Sequence, residues 1–213
     1  MLVGVVVLLA GVAGGGYLYL SHWRPDLEAG ERYGLDVSNH QGTIDWKAVA
    51  GDGISFAYLK ATEGQDWVDQ QFAANWRGAG DAGIKRGAYH FFSLCSPGAK
   101  QADHFLATVP PDPDALAPAL DLETAGNCAT RPTKEAVAKE VRDFVDTVEA
   151  AWGKPIVMYV GDDWLEVYSN VDDRQQWYRH LIFRPDNDWH IWQLHNFAEV
   201  NGVETRVDLN IMR

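Results

Sequence analysis

The sequence predicts an α/β barrel, and three observations carry that expectation. Short apolar runs alternate with amphipathic helical stretches, which implies parallel strands joined by helical crossovers. There are about eight such runs, enough to close a sheet on itself. Polar and acidic residues gather where the runs end, and in a parallel barrel the C-terminal strand ends form the site.

Taken in order, Tyr33 to Ser38 reads as the first strand and Asp45 to Ala50 as the opening of a short helix. Ile54 to Thr62 is the second strand, Gln70 to Ala82 a helix, and Gly87 to Phe92 the third strand. Pro97 to Val109 places Ala102, Phe105, Leu106 and Val109 at helical spacing. Leu116 to Glu123 is the fourth strand. Thr133 to Trp152 is the clearest helix, with Val137, Val141, Phe144, Val145, Val148 and Trp152 on one stripe. Pro132 and Thr133 mark its start and Gly153 its stop. Pro155 to Val160 is the fifth strand. The rhythm then changes: Asp163 to Tyr168 allows only a turn and a half of helix. Trp177 to Phe183, His190 to Leu194 and Val207 to Met212 follow as strands with short polar spacers. About five helices around eight strands are therefore expected.

The 213 residues suit one sizeable domain. Net charge is −12, with 30 acidic residues against 18 basic ones, which argues against binding nucleic acid through its phosphates. Leu2 to Leu20 is apolar or Gly throughout, about long enough to cross a bilayer. Residues 1–21 are read as a transmembrane helix preceding the barrel, with a cleaved secretory signal as the alternative. Residues 22–32 are read as a polar linker and 33–213 as the barrel domain. Cys95 and Cys128 form no CxxC and belong to no His/Cys cluster, so a zinc site is not expected. They are either a disulfide of an exported domain or two unrelated thiols.

The acids carry the chemistry. In a strand, alternate residues share a face. Asp121 and Glu123 therefore point the same way as Ala117 and Ala119, while Leu120 and Leu122 point the other way. Asp36 shares a face with Gly34 and Ser38 at the end of strand one, and Asp208 shares one with Asn210 on the last strand. In a closed barrel the first and last strands are neighbours, so Asp36 and Asp208 should stand side by side across from the pair. Crowded carboxylates raise at least one pKa, leaving a protonated acid near neutral pH. Glycoside hydrolysis needs such an acid together with negative charge near the oxocarbenium ion. The competing use, a Mg²⁺ or Ca²⁺ site, sits poorly with Lys60 at a strand end.

Several segments resemble glycoside hydrolase family 25 lysozymes. They are Asp36-Val37-Ser38-Asn39-His40-Gln41-Gly42 with Ile44-Asp45-Trp46, Phe56 to Gly64, and Gly87 to Phe92. Asp121-Leu122-Glu123, Trp192-Gln193 and Val207-Asp208-Leu209-Asn210 complete the set, in order, across residues 33–213. The resemblance implies an irregular TIM-like barrel and a muramidase that cuts between N-acetylmuramic acid and N-acetylglucosamine in peptidoglycan, without a cofactor. It makes Glu123 the general acid and later the base, Asp121 its assistant toward the substrate's 2-acetamido group, and Asp36 and Asp208 the rest of an acidic floor. Lys60, Glu63, Tyr89, Tyr159, Arg179, Trp192 and Gln193 become sugar contacts. His90 is either a sugar contact or a core histidine. Cys95 and Cys128, in neighbouring loops, would if bonded brace the loop behind Glu123. A monomer on the cell-wall side of a membrane is expected. The alternatives are a non-catalytic glycan-binding barrel and a hydrolase of another 2-acetamido glycan such as chitin.

Overall fold

The computed structural model describes residues 19–168 and 174–213. Residues 1–18, most of the apolar N-terminal run, lie outside that range. Among the described residues no helix is long and apolar enough to cross a membrane.

The strands are β1 (Arg32–Val37), β2 (Phe56–Glu63), β3 (Trp67–Val68), β4 (Lys85–Phe91), β5 (Ala119–Leu122), β6 (Val157–Val160), β7 (Gln176–Arg179), β8 (Ile191–Ala198) and β9 (Val207–Met212). The helices are α1 (Trp46–Gly51), α2 (Phe72–Asp81), α3 (Gly98–Thr108), α4 (Lys134–Trp152) and α5 (Asp162–Val167). Eight strands close in the order β1-β2-β4-β5-β6-β7-β8-β9, with β9 returning to β1. The parallel rule holds from β1 to β8, but β9 runs antiparallel to both neighbours. The short β8–β9 connection allows only this hairpin, since a parallel return needs a crossover of a dozen or more residues. The small β3, absent from the sequence reading, folds back on Thr62 and Glu63 through a turn at Gly64, φ 57°.

The alternation predicted for the strands appears as two separate cores. Leu35, Val37, Leu120, Leu122, Leu209 and Ile211 face outward into the layer beneath the helices. Phe56, Tyr58, Ala119, Val157, Tyr159, Trp177, Ile191 and Met212 fill the barrel interior. Glycines make room for the interior rings. A Cβ on Gly34 would stand 2.3 Å from the Phe56 ring, and one on Gly87 2.5 Å from the Tyr58 ring. The helix α4 buries the six apolar residues of its stripe, starts on a Thr133 side-chain cap to the Ala136 N–H, and ends at Gly153 in the left-handed conformation.

Three strand boundaries differ most from expectation. Strand β5 begins at Ala119 rather than Leu116, because Pro118 has no N–H for the ladder. Strand β7 stops at Arg179 rather than Phe183, since Ile182 takes φ 69° and turns the chain. Strand β8 runs on to Ala198, because β9 continues to pair with it through two register shifts. The stretch 22–32, expected to be a linker, instead straps the barrel. Trp23 packs on the outer core, Arg24 holds Asp52 at 2.6 Å, and the Tyr33 hydroxyl donates to the Pro25 carbonyl. Its aromatic and arginine side chains find partners on the wall, which a purely polar linker would not.

Candidate active site

At the C-terminal ends of the strands lies an open cavity of about 250 Å³. Its lining includes Asp36, Tyr89, Asp121, Glu123, Tyr159, Arg179, Gln193 and Asp208, so eight of the predicted site residues meet in one place. Asp36 and Asp208 are direct cross-strand partners. Since β9 runs antiparallel, Asp208 near its start reaches the same rim as Asp36 near the end of β1. Asp121 sits on β5, on the far side of the barrel. Glu123 lies just past the end of β5, nearer the opening.

A chain of amides sets the orientation of Asp36. The Trp177 Nε1–H donates to Asn210 Oδ1 at 2.9 Å, which obliges the Asn210 amide nitrogen to point to Asp36 Oδ1, at 2.7 Å. Tyr159 donates to Gln193 Oε1 at 3.3 Å, and Gln193 Nε2 donates to the same Asp36 oxygen at 3.1 Å. The Tyr159 hydroxyl also faces Glu123. Asp121 differs: its Oδ1 is buried with no hydrogen-bond partner among the described residues.

Crowding and burial push all four acids toward the protonated form. Burial raises Asp36 to about 6 against the pull of the Asn210 and Gln193 donors. Burial and the neighbouring Asp36 charge raise Asp208 to about 9, opposed by Arg179. Asp121 is held well above the carboxylate range by burial and by Glu123. Glu123 is raised by burial and by Asp163, while Tyr159 and Arg179 act the other way. Four acids sharing so little water and one nearby guanidinium hold protons as a group. Among the described residues no group of His, Cys, Asp or Glu is arranged to hold a metal ion.

The loop behind Glu123 is braced from several directions. The Asn127 amide donates to the carbonyls of Glu123 (3.0 Å) and Phe92 (2.7 Å) and accepts from the N–H of Leu94 and of Cys128. Cys95 and Cys128 are joined in a disulfide, with Cα atoms 6.1 Å apart. Asp163, at the start of α5, accepts from the Thr124 hydroxyl and from the N–H groups of Thr124 and Ala125. Although burial works against its charge, those bonds hold its carboxyl below the ordinary value. Gly161 lets the two acidic segments approach: a Cβ there would stand 2.5 Å from Asp163 Oδ1 and 3.1 Å from Glu123 Cγ.

Four candidate contacts fall elsewhere. Trp192 is buried in the outer layer, with its Nε1–H on the His180 carbonyl at 2.7 Å, so no sugar can stack on it. It neighbours Gln193 in sequence, and the period of two sends the pair to opposite faces. Lys60 and Glu63 form a 2.7 Å ion pair at the rim outside the cavity lining, with the Lys60 ammonium over the Trp67 and Phe91 rings. His90 is a core residue, held by Thr62 at 2.7 Å and Gln101 at 3.0 Å, and burial lowers it to about 3. Conversely, His40, Gln41, Trp177 and Asn196 line the cavity without having been named as contacts. Trp177 alternates with Arg179 on β7 and was therefore legible; Asn196 depends on the register shifts of β8.

A barrel with acids on opposite walls of a cavity at its strand ends defines a glycoside hydrolase of the α/β-barrel class. The comparisons make the class specific. The family model for Glycosyl hydrolases family 25 matches residues 35–203, and the chain belongs to that family. The uncharacterized protein YegX of Escherichia coli K12 is 35% identical over 192 residues, 84% of this chain and 68% of that one. Lysozyme M1 of Streptomyces globisporus is 33% identical over 195 residues, 83% of this chain and 66% of that one. Among solved structures, a family 25 glycosyl hydrolase from Bacillus anthracis superposes with a TM-score of 0.80 at 32% identity, covering 90% of this chain and 93% of that one. The bacterial lysozyme from Streptomyces coelicolor gives 0.73 at 30% identity, covering 86% and 92%.

Proposed function

We propose that this protein is a peptidoglycan muramidase that cleaves the β-1,4 bond between N-acetylmuramic acid and N-acetylglucosamine with retention. Glu123, kept protonated by burial, gives its proton to the glycosidic oxygen as the bond to the anomeric carbon breaks. The substrate's own acetamido oxygen bonds to that carbon, a substrate-assisted variant of the two-carboxylate scheme. Asp121 accepts the acetamido N–H on its unpartnered oxygen and so orients the group for attack. The Glu123 carboxylate then takes a proton from water, which attacks the anomeric carbon and reopens the ring. Asp36, ionised above about pH 6, supplies negative potential beneath the oxocarbenium-like carbon, and Asp208 beside it keeps its proton.

The observation that carries this reading is the unpartnered Oδ1 of Asp121 beside Glu123. An orphaned buried polar atom is costly and calls for a partner, and a substrate N–H fits it. The test is digestion of purified peptidoglycan and of chitin by the full chain, followed by borohydride reduction of the new ends. Muramitol from peptidoglycan is expected. Glucosaminitol, or release from chitin alone, would overturn the bond assignment.

The protein acts on the cell wall outside the cytoplasm, and the disulfide suits an oxidising compartment. We read residues 1–21 as an uncleaved anchor and the catalytic barrel as a monomer. Since Ser21 is buried and its carbonyl accepts from the Glu199 N–H at 2.9 Å, such an anchor would hold the barrel without a slack tether. Carbonate extraction of membranes checks this, with release into the soluble fraction the contrary result.

A further inference from the structure

The cavity contains a fixed positive charge that the proposed proton transfers do not use. Arg179, at the end of β7, is the one Lys or Arg among the described residues that line it. It stands next to Gln193 across the β7–β8 ladder. Its side chain follows Trp177 on the inward face, yet the residue is exposed. Among the described residues its guanidinium makes no direct hydrogen bond or ion pair, and it acts on Glu123 and Asp208 only through its charge. Three other partly buried arginines are engaged with acids: Arg24 with Asp52, Arg174 with Glu149, and Arg184 with Glu31. An arginine left open at the mouth of an acidic cavity offers a planar fork of donors to an incoming anion, and a carboxylate matches that fork bidentately.

The two sugars of the proposed substrate differ in this respect. N-acetylglucosamine is neutral. N-acetylmuramic acid carries a lactyl ether that ends in a carboxyl group, and in the intact wall that group bears a peptide with carboxylates of its own. We propose that Arg179 is the specificity residue that pairs with an anionic carboxylate on the muramyl unit and so separates wall glycan from neutral 2-acetamido polymers; this rests on the glycan-hydrolysis reading above. The acids that are ionised would by themselves repel such a substituent. The guanidinium offsets that repulsion locally, at the one edge where the substituent enters.

The experiment compares matched substrate pairs. One pair is a peptide-free alternating oligosaccharide with free lactyl carboxylates and the same molecule converted to methylamides. The other is a peptide-bearing muroglycan with its peptide carboxyls free or amidated. The quantity read is the ratio of kcat/KM, charged over uncharged, for the wild type, Arg179→Gln and Arg179→Lys, each at its own optimum pH. A charge-assisted contact of this kind is worth about ten- to hundredfold. The wild-type ratio is expected in that range, the Gln variant near one, and the Lys variant between them. A ratio confined to the first pair assigns the lactyl carboxylate; one confined to the second assigns the peptide. A wild-type ratio near one in both pairs, or an unchanged ratio in Arg179→Gln, overturns the proposal. The same oligosaccharides bound to Glu123→Gln and to Glu123→Gln/Arg179→Gln by calorimetry give the ratio without turnover. A chain that cleaves nothing but keeps the binding ratio would therefore sink the hydrolysis and spare the recognition.

Discussion

The two sides of the barrel are built differently. From β1 to β6, strands alternate with helices, and the outer face of the sheet is sealed by aliphatic and aromatic side chains from α1 to α4. From β7 to β9 no helix intervenes. That wall is closed instead by Trp189 and Trp192, by Arg184 and Arg213 stacked over them, and by Glu31, which pairs with both arginines. The clad side carries Asp121 and Glu123 and braces the loop behind them. The bare side carries Arg179 and Asp208 on the cavity lining, and Gln193 and Asn210, which orient Asp36. Packed helices thus back Glu123, the proposed acid, while the thinner wall supplies the polar contacts to Asp36.

The largest test of this division is on the clad side. Glu123→Gln should lower kcat by about 10³-fold, within the range for a lost general acid, while circular dichroism and glycan binding stay unchanged. Comparable activity in that variant would move the acid elsewhere. Replacing both cysteines by serine should cost about 3–4 kcal/mol in urea unfolding, from the 33-residue separation in the chain-entropy model. A cost near zero would show that Asn127 and Asp163 alone hold the loop.

On the bare side the effects are smaller and appear against pH. Removing an Asp36 donor with Asn210→Leu disfavours the ionised form, so Asp36 should titrate above its present value of about 6. The acid limb of the pH–rate curve should then move upward by about one unit, given about 1.5–3 kcal/mol for a hydrogen bond to a charged group. Asp208 is raised from 3.8 to about 9 in the folded state. The native protein therefore holds that proton more tightly, and stability falls as pH rises from about 4 to about 9. Asp208→Asn should flatten the decline of Tm over that window; an unchanged slope would assign it to other groups. The smallest effect expected is from Arg184→Ala, about 1–2 kcal/mol in the unfolding free energy from denaturant titration, since its partner Glu31 is largely buried but retains Arg213.

Much of this was legible because it depends on local periodicity. The inward alternation of Asp121 and Glu123, the α4 stripe and the thinning of helices after β6 all follow from side-chain spacing along one element. Trp192 shows the limit. Its neighbour Gln193 reaches Asp36, yet the strand's pleat turns the indole into the outer layer. The sequence alone does not say which parity faces inward when both residues suit either face. The strap at 22–32 was hidden for a related reason: its partners Asp52 and Glu199 are distant in the chain.

By itself, then, the sequence determined a barrel-forming rhythm, a pair of acids on one strand face, and an expected meeting of Asp36 with Asp208. Those are consequences of short-range order. Only the tertiary structure decided that β9 turns antiparallel, so that Asp208 reaches the rim from the start of its strand. It also decided that Asp121 keeps an oxygen without a partner and that Arg179 stays open at the mouth. Solvation and pairing depend on what every other strand places nearby, and no local pattern encodes that.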